Sequence, residues 1–227
     1  MIRVTENFRK IQDLLAKAAA DAGRSADQIR LLAVSKKKPA EAVLEAYSAG
    51  QRDFGENFVQ EGLDKIAAVG RDDAIWHFIG HLQSNKTKAV SEHFQWVHTI
   101  DRLKIARRLS AQRPHHAADL NVCIEVNIDA EDNKSGVAAN EVEDLALAVT
   151  ALPGLKLRGL MCLPAIRDGF EEQRQPFARL RALMNALNQS GMQMDTLSMG
   201  MTADYAAAIR EGATIVRIGT ALFGARE

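Results

Sequence analysis

Apolar residues recur along this chain in two alternating rhythms. Between positions 3 and 22, Val4, Phe8, Ile11, Leu14, Leu15 and Ala18 return at helical spacing among charged residues, which predicts an amphipathic helix closed by Gly23. The run Leu31-Leu32-Ala33-Val34-Ser35-Lys36, bounded by polar residues and Pro39, fits a strand buried on both faces. Pro39 and Gly50 then punctuate a helix with Val43, Leu44 and Tyr47 on its inner face. Strand followed by helix repeats from there: 51–54 with 59–69, 75–79 with 87–90, 95–99 with 102–111, and 120–128 with 141–151. The pattern continues with 156–162 and 170–189, then 196–197 and 203–210, and a last strand at 214–218.

About eight strands separated by helices, with one helix ahead of the first strand and none after the eighth, are accounted for by an α/β fold, a single (β/α)8 TIM barrel. An open doubly wound sheet allows the same alternation, but its usual GxGxxG after the first strand is absent. A chain of 227 residues, 47% hydrophobic and without a Ser/Gly-rich linker, is expected to form one domain over 1–227.

Charge narrows the partners. Lys plus Arg and Asp plus Glu both total 29, so a net charge of zero argues against non-specific binding to nucleic acid or an anionic membrane. Cys123 and Cys162 lie in apolar runs without metal-ligand or redox spacing and read as buried thiols. No bilayer-spanning run or signal core is present, which places the expected compartment in the cytoplasm. A monomer is expected.

The chemistry gathers at strand ends. Lys36 closes the first strand, ahead of Lys37 and Lys38, and would face whatever that end of the sheet encloses; a solvated lysine turn is the plain alternative. The seventh strand runs out as Leu197-Ser198-Met199-Gly200-Met201-Thr202 and the eighth as Val216-Arg217-Ile218-Gly219-Thr220. Glycine N–H groups and Ser or Thr hydroxyls at these two ends form the usual barrel phosphate site, although turns and helix caps use the same residues. A lysine facing a phosphate cradle suggests a phosphorylated aldehyde held as a Schiff base, with pyridoxal 5'-phosphate (PLP) the obvious candidate. Arg217 in the same mouth would weaken a pyridine ring as an electron sink, or else close the barrel as an ion pair. Asn57, in Gly55-Glu56-Asn57, could bond a ring substituent or cap the next helix. His77 and His81 lack metal-pair spacing and read as polar lining, and Lys134 as a solvated charge in the long loop 129–137.

These segments resemble the pyridoxal phosphate homeostasis protein family over nearly the whole chain. The markers are Leu-Leu-Ala-Val-Ser-Lys at 31–36, Phe-Gly-Glu-Asn at 54–57, His-Phe-Ile-Gly-His-Leu-Gln at 77–83, Glu-Val-Asn-Ile at 125–128, Lys-Ser-Gly at 134–136, Leu-Ser-Met-Gly-Met-Thr at 197–202 and Arg-Ile-Gly-Thr at 217–220. The resemblance implies a barrel like the N-terminal domain of alanine racemase, PLP on Lys36, phosphate contacts from Ser198, Gly219 and Thr220, and Asn57 and Arg217 near the ring. The family usually has Ser where Thr202 stands. It also implies a carrier in vitamin B6 and amino-acid homeostasis without catalytic turnover, with transient PLP-acceptor enzymes as partners. A PLP-dependent racemase or decarboxylase, and a class I aldolase using a lysine without cofactor, are the competing classes.

Overall fold

The computed structural model describes residues 4–131 and 134–224. Eight parallel strands close into a barrel in chain order, β1 pairing with β8. They are β1 Arg30–Val34, β2 Asp53–Glu56, β3 Ile75–Phe78, β4 Trp96–Ile100, β5 Leu120–Glu125, β6 Leu155–Met161, β7 Thr196–Ser198 and β8 Ile215–Ile218. The helices are α1 Val4–Asp21, α2 Ala40–Ser48, α3 Val59–Val69, α4 Thr87–His93, α5 Leu103–Gln112, α6 Val142–Thr150, α7 Phe170–Gln189, α8 Tyr205–Arg210 and α9 Thr220–Phe223.

Several boundaries differ from the sequence reading: β2 runs Asp53–Glu56 rather than 51–54, so that Gly55 and Glu56 belong to the strand and not to its loop, and α4 extends to His93 rather than 90. β1 ends at Val34, because Lys38 N–H bonds back to Ser35 O at 3.0 Å and turns the chain over Ser35–Lys38. β5 ends at Glu125, with Val126 bridging to Val137 across the long loop. A single helical turn, α9, follows β8 where none is expected. On α1 the inner face is Val4, Phe8, Ile11, Leu15 and Ala19, while Leu14 is 49% exposed. Positions 3, 132 and 133 lie outside the described residues.

Most of the apolar core lies between the outer face of the barrel and the helices, where Phe54, Phe78, Phe94 and Phe177 are fully buried. The barrel interior holds a separate, smaller apolar layer of Leu32, Trp96, Cys123, Met161 and Ile215. Period-2 alternation produces the division, since adjacent residues of a strand face opposite sides. Strand packing is closest at Gly159, where a Cβ would come 1.8 Å from Thr196 O. Both cysteines are free and buried, and burial pushes each thiol up to about 12, so neither is reactive at neutral pH. Among the described residues no helix is long and apolar enough to cross a membrane.

Candidate active-site cavity at the carboxyl ends of the strands

Above the interior apolar layer, alternation along each strand brings polar side chains together. Lys36, Asn57, Arg217, Gly219 and Thr220 line one cavity of about 210 Å³ at the carboxyl ends of the strands, with Val34, Ile79, Met161, Leu163, Met201 and Thr202 as the remaining wall. This is the face on which barrels keep their sites. Larger hollows, such as the 520 Å³ groove between α1, α7 and α8, lie outside the barrel and gather no such set. Lys38 shares a small recess with Lys36, Gly219 and Thr220, whereas Lys37 is exposed.

Five of the six expected site residues therefore meet. Ser198 does not. It still belongs to β7, one layer below the mouth, and is fully buried. Its hydroxyl lies 2.7 Å from His98 Nδ1 and accepts Arg217 Nη1–H at 2.9 Å. The hydroxyl that the β7 end offers to the cavity is that of Thr202 instead.

Arg217 forms no side-chain ion pair among the described residues. Its guanidinium donates to Ser198 O at 2.6 Å, Ser198 Oγ at 2.9 Å and Cys162 O at 2.9 Å, which accounts for three of its five N–H donors. Burial lowers its pKa from the usual arginine value. The barrel is thus closed by charge-assisted bonds to carbonyls, and a positive charge faces the cavity from its floor.

The turn carrying Lys36 is clamped from below by residues that sequence reasoning did not single out. Lys65 Nζ on α3 donates to Ser35 O at 2.6 Å, Glu56 Oε1 at 2.7 Å and Glu61 Oε1 at 2.7 Å. Ser35 Oγ donates to Glu56 Oε1 at 2.6 Å, and Lys37 N–H donates to Glu61 Oε1. That last bond holds Lys37 at a φ of 58°, in the left-handed region where a non-glycine residue needs support. Glu56 is completely buried, and desolvation raises its pKa in spite of Lys65 and Ser35. The i, i+4 pair Glu61–Lys65 is visible in the sequence, but it reads there as an ordinary surface pair.

His77 on β3 and His81 in the loop beyond it part company. His77 is fully buried in the barrel interior, bonded to Asp53 and His98. His81 has a side chain 54% exposed, 3.8 Å from Asp101. Lys134 pairs with Glu131 at 2.5 Å and does not line the cavity.

Glu125 on β5 is 6% exposed, and its carboxyl is pushed up to about 7 by burial, then by Asp101, against the pull of Arg217. A raised carboxyl favours the folded state while protonated, so its contribution is complete below the ordinary carboxylate range and is lost as pH rises through about 7. That loss is on the order of 3 kcal/mol. Glu125→Gln, which stays neutral, is therefore expected to raise the melting temperature relative to wild type at about pH 8.5 and not at about pH 4.5. An equal effect at both values would remove the assignment.

Comparison with known proteins agrees with this architecture. The family model described as "Alanine racemase, N-terminal domain" matches residues 4–227. The pyridoxal phosphate homeostasis protein of Pseudomonas aeruginosa is 54% identical over 227 residues, covering 100% of this chain and 97% of that protein. The solved structure of PipY from Synechococcus elongatus with PLP bound has 35% identity and a TM-score of 0.80, covering 92% of this chain and 100% of that one. An alanine racemase from Corynebacterium glutamicum, 17% identical with a TM-score of 0.73, spans 97% of this chain and 59% of its own, and shows the shared fold alone. The chain belongs to the pyridoxal phosphate homeostasis protein family.

Proposed function

We propose that this protein holds PLP in the cavity at the strand ends, attached to Lys36, and serves vitamin B6 and amino-acid homeostasis as a carrier rather than a turnover enzyme. The observation that carries the reading is the convergence of Lys36, Arg217 and the Gly219-Thr220 turn on one cavity of about 210 Å³. The PLP-bound PipY structure, at 35% identity, supports it.

The donor set fits the group. Gly219 lies so close to β1 that a Cβ would sit 3.1 Å from Val34 O, which keeps the turn bare on the side where its backbone meets the cavity. Thr220 and Thr202 add hydroxyls suited to a phosphate, in place of Ser198. Asn57 Oδ1 is buried without a partner among the described residues, an acceptor placed for a ligand donor. When bound, PLP supplies an aldehyde for attachment to an amine and a pyridine ring that acts as an electron sink. Arg217, a permanent donor on the cavity wall, would disfavour protonation of a ring nitrogen held beside it and so would leave that sink weak. The clamp of Lys65, Glu56 and Glu61 holds the turn that aims Lys36.

On this reading one barrel over 1–227 is the working unit, a cytoplasmic monomer whose partners are PLP and transient acceptor enzymes, without nucleic acid or membrane. Protein saturated with PLP is expected to be yellow and, after borohydride reduction, to carry the pyridoxyl group on Lys36. Lys36→Ala should abolish the label, and unphosphorylated pyridoxal should bind at least tenfold more weakly, since a charge-assisted bond contributes roughly 1.5–3 kcal/mol. Recovery of the label on Lys37 or Lys38, or equal affinity for the two aldehydes, would overturn the assignment.

A further inference from the structure

The barrel interior contains a continuous polar path beneath the cavity. Arg217 Nη1 lies 2.9 Å from Ser198 Oγ, Ser198 Oγ 2.7 Å from His98 Nδ1, His98 Nε2 2.9 Å from His77 Nδ1, and His77 Nε2 3.0 Å from Asp53 Oδ1. Asp53 Oδ1 is also 3.3 Å from Arg30 Nη1, at the amino-terminal end of the barrel. His77, His98 and Ser198 are each fully buried.

We propose that His98 and His77 are positioning residues for Arg217, holding its guanidinium at the cavity floor through a hydrogen-bond chain of single direction that ends on Asp53. The inference rests on the cofactor reading above for what Arg217 acts upon, and on the geometry alone for the chain itself.

The direction follows from the two ends. A guanidinium has no acceptor, so Ser198 Oγ must accept from Arg217. A carboxylate paired with Arg30 has no donor, so His77 Nε2 carries the hydrogen toward Asp53. His77 Nδ1 is then bare and accepts from His98 Nε2–H, which leaves His98 Nδ1 bare to accept the Ser198 hydroxyl hydrogen. The Asp53 end and the neutrality of the two buried rings together set the arrangement: two neutral imidazoles, each with its hydrogen on Nε2. A second proton on either ring would reverse the hydrogen bonds between it and Ser198, and burial opposes the charge, lowering both pKa values, that of His98 farther. Trp96 fixes the rings laterally, stacked on His77 with centroids 5.3 Å apart and 5.7 Å from His98.

The consequence is mechanical. Lateral swing of Arg217 would leave Ser198 Oγ without its donor, and loss of His98 would leave the Ser198 hydroxyl without an acceptor, free to compete for the carbonyls that hold Arg217. Buried polar groups left unpaired in this way are costly, so the chain is either complete or broken. His98→Gln keeps an acceptor toward Ser198 and a donor toward His77, while His98→Leu keeps neither.

Two measurements on the full chain test this. In protein without PLP, long-range ¹H–¹⁵N correlation of the imidazoles should show both His77 and His98 as neutral Nε2–H tautomers; an Nδ1–H tautomer or an imidazolium at neutral pH for either would overturn the chain. In PLP-saturated protein, His98→Leu and Ser198→Ala should shift the absorption bands of the bound cofactor and weaken PLP by about tenfold, with His98→Gln restoring both toward wild type. Variants that keep native circular dichroism yet bind PLP with wild-type affinity and spectrum would refute the positioning role. A wild-type protein that acquires no chromophore would defeat the cofactor reading instead, and the tautomers would still decide the chain.

Discussion

Lys65→Met is expected to destabilise the protein by on the order of 3–5 kcal/mol, because it breaks a buried pair from one side. The lysine side chain is 6% exposed and that of Glu56 is 0% exposed, so the substitution strands a carboxyl group in the core with Ser35 as its remaining donor. Methionine fills much of the stem volume, which isolates the electrostatic loss from a cavity effect. The sign of the pH dependence follows from Glu56. Its folded pKa is already raised, first by desolvation, and Lys65 is the largest influence pulling it back down. Without Lys65 it rises further, so the penalty should be smallest in acid, where Glu56 is protonated, and grow as pH rises through its raised folded pKa. Urea denaturation at several pH values measures this. A deficit that is constant with pH, or below about 1 kcal/mol at pH 8, would show that the clamp is not an electrostatic unit. Because Lys65 also holds Ser35 O, PLP affinity should fall in the same variant while it remains folded.

Gly80→Ala is the second large effect. A Cβ at this position would sit 2.0 Å from Asn57 O and 2.9 Å from Asn57 Cα, and neither is the end of a flexible side chain that could move aside. The backbone after β2 must shift, at a cost of about 1–3 kcal/mol for overpacking of this kind. The displaced residue is Asn57, which lines the cavity, so the variant should lose PLP affinity well beyond its loss of stability. Comparing the melting-temperature gain on adding PLP for wild type and variant separates the two. An unchanged gain would mean that Asn57 is not a cofactor contact.

Much of this architecture is legible without coordinates, for physical reasons that particular residues illustrate. The strands of a parallel barrel are buried on both faces, so Leu31-Leu32-Ala33-Val34 and Val122-Cys123-Ile124 stand out as short apolar runs, and the helices between them repeat at 3.6 residues. Strand ends carry Lys36, Asn57, Arg217 and Gly219-Thr220 to one mouth because the topology sends every carboxyl end to the same face. Ser198 escapes that logic by one residue: β7 is short, and the serine still lies within it rather than in the loop beyond. His98 and Lys65 were illegible for different reasons. His98 is one polar residue in a strand whose interior is otherwise expected to be apolar, and its partners are 21 and 100 positions away. Lys65 looks like half of a solvated helix pair until Glu56 of β2 is seen beneath it.

The packing of α1 has a consequence for how the chain is made. This first helix does not serve the first strand alone; its Asn7 Nδ2 donates to Leu222 O across 215 positions, and Arg24, in the turn that follows it, donates to Ile209 O and Ala213 O across 185 and 189. Ring closure likewise joins the start to the finish, β1 to β8. A ribosome delivering the chain from the amino terminus therefore releases α1, with Phe8, Ile11 and Leu15 on its buried face, long before α8 and α9, against which the helix packs, exist. Until α8, β8 and α9 emerge, an apolar helix face and one edge of an unfinished sheet stay open to water and to other chains. Loop closure over such separations is slow. The same ring closure that lets one barrel enclose its site leaves α1 and β1 waiting for α8, β8 and α9 before either is covered.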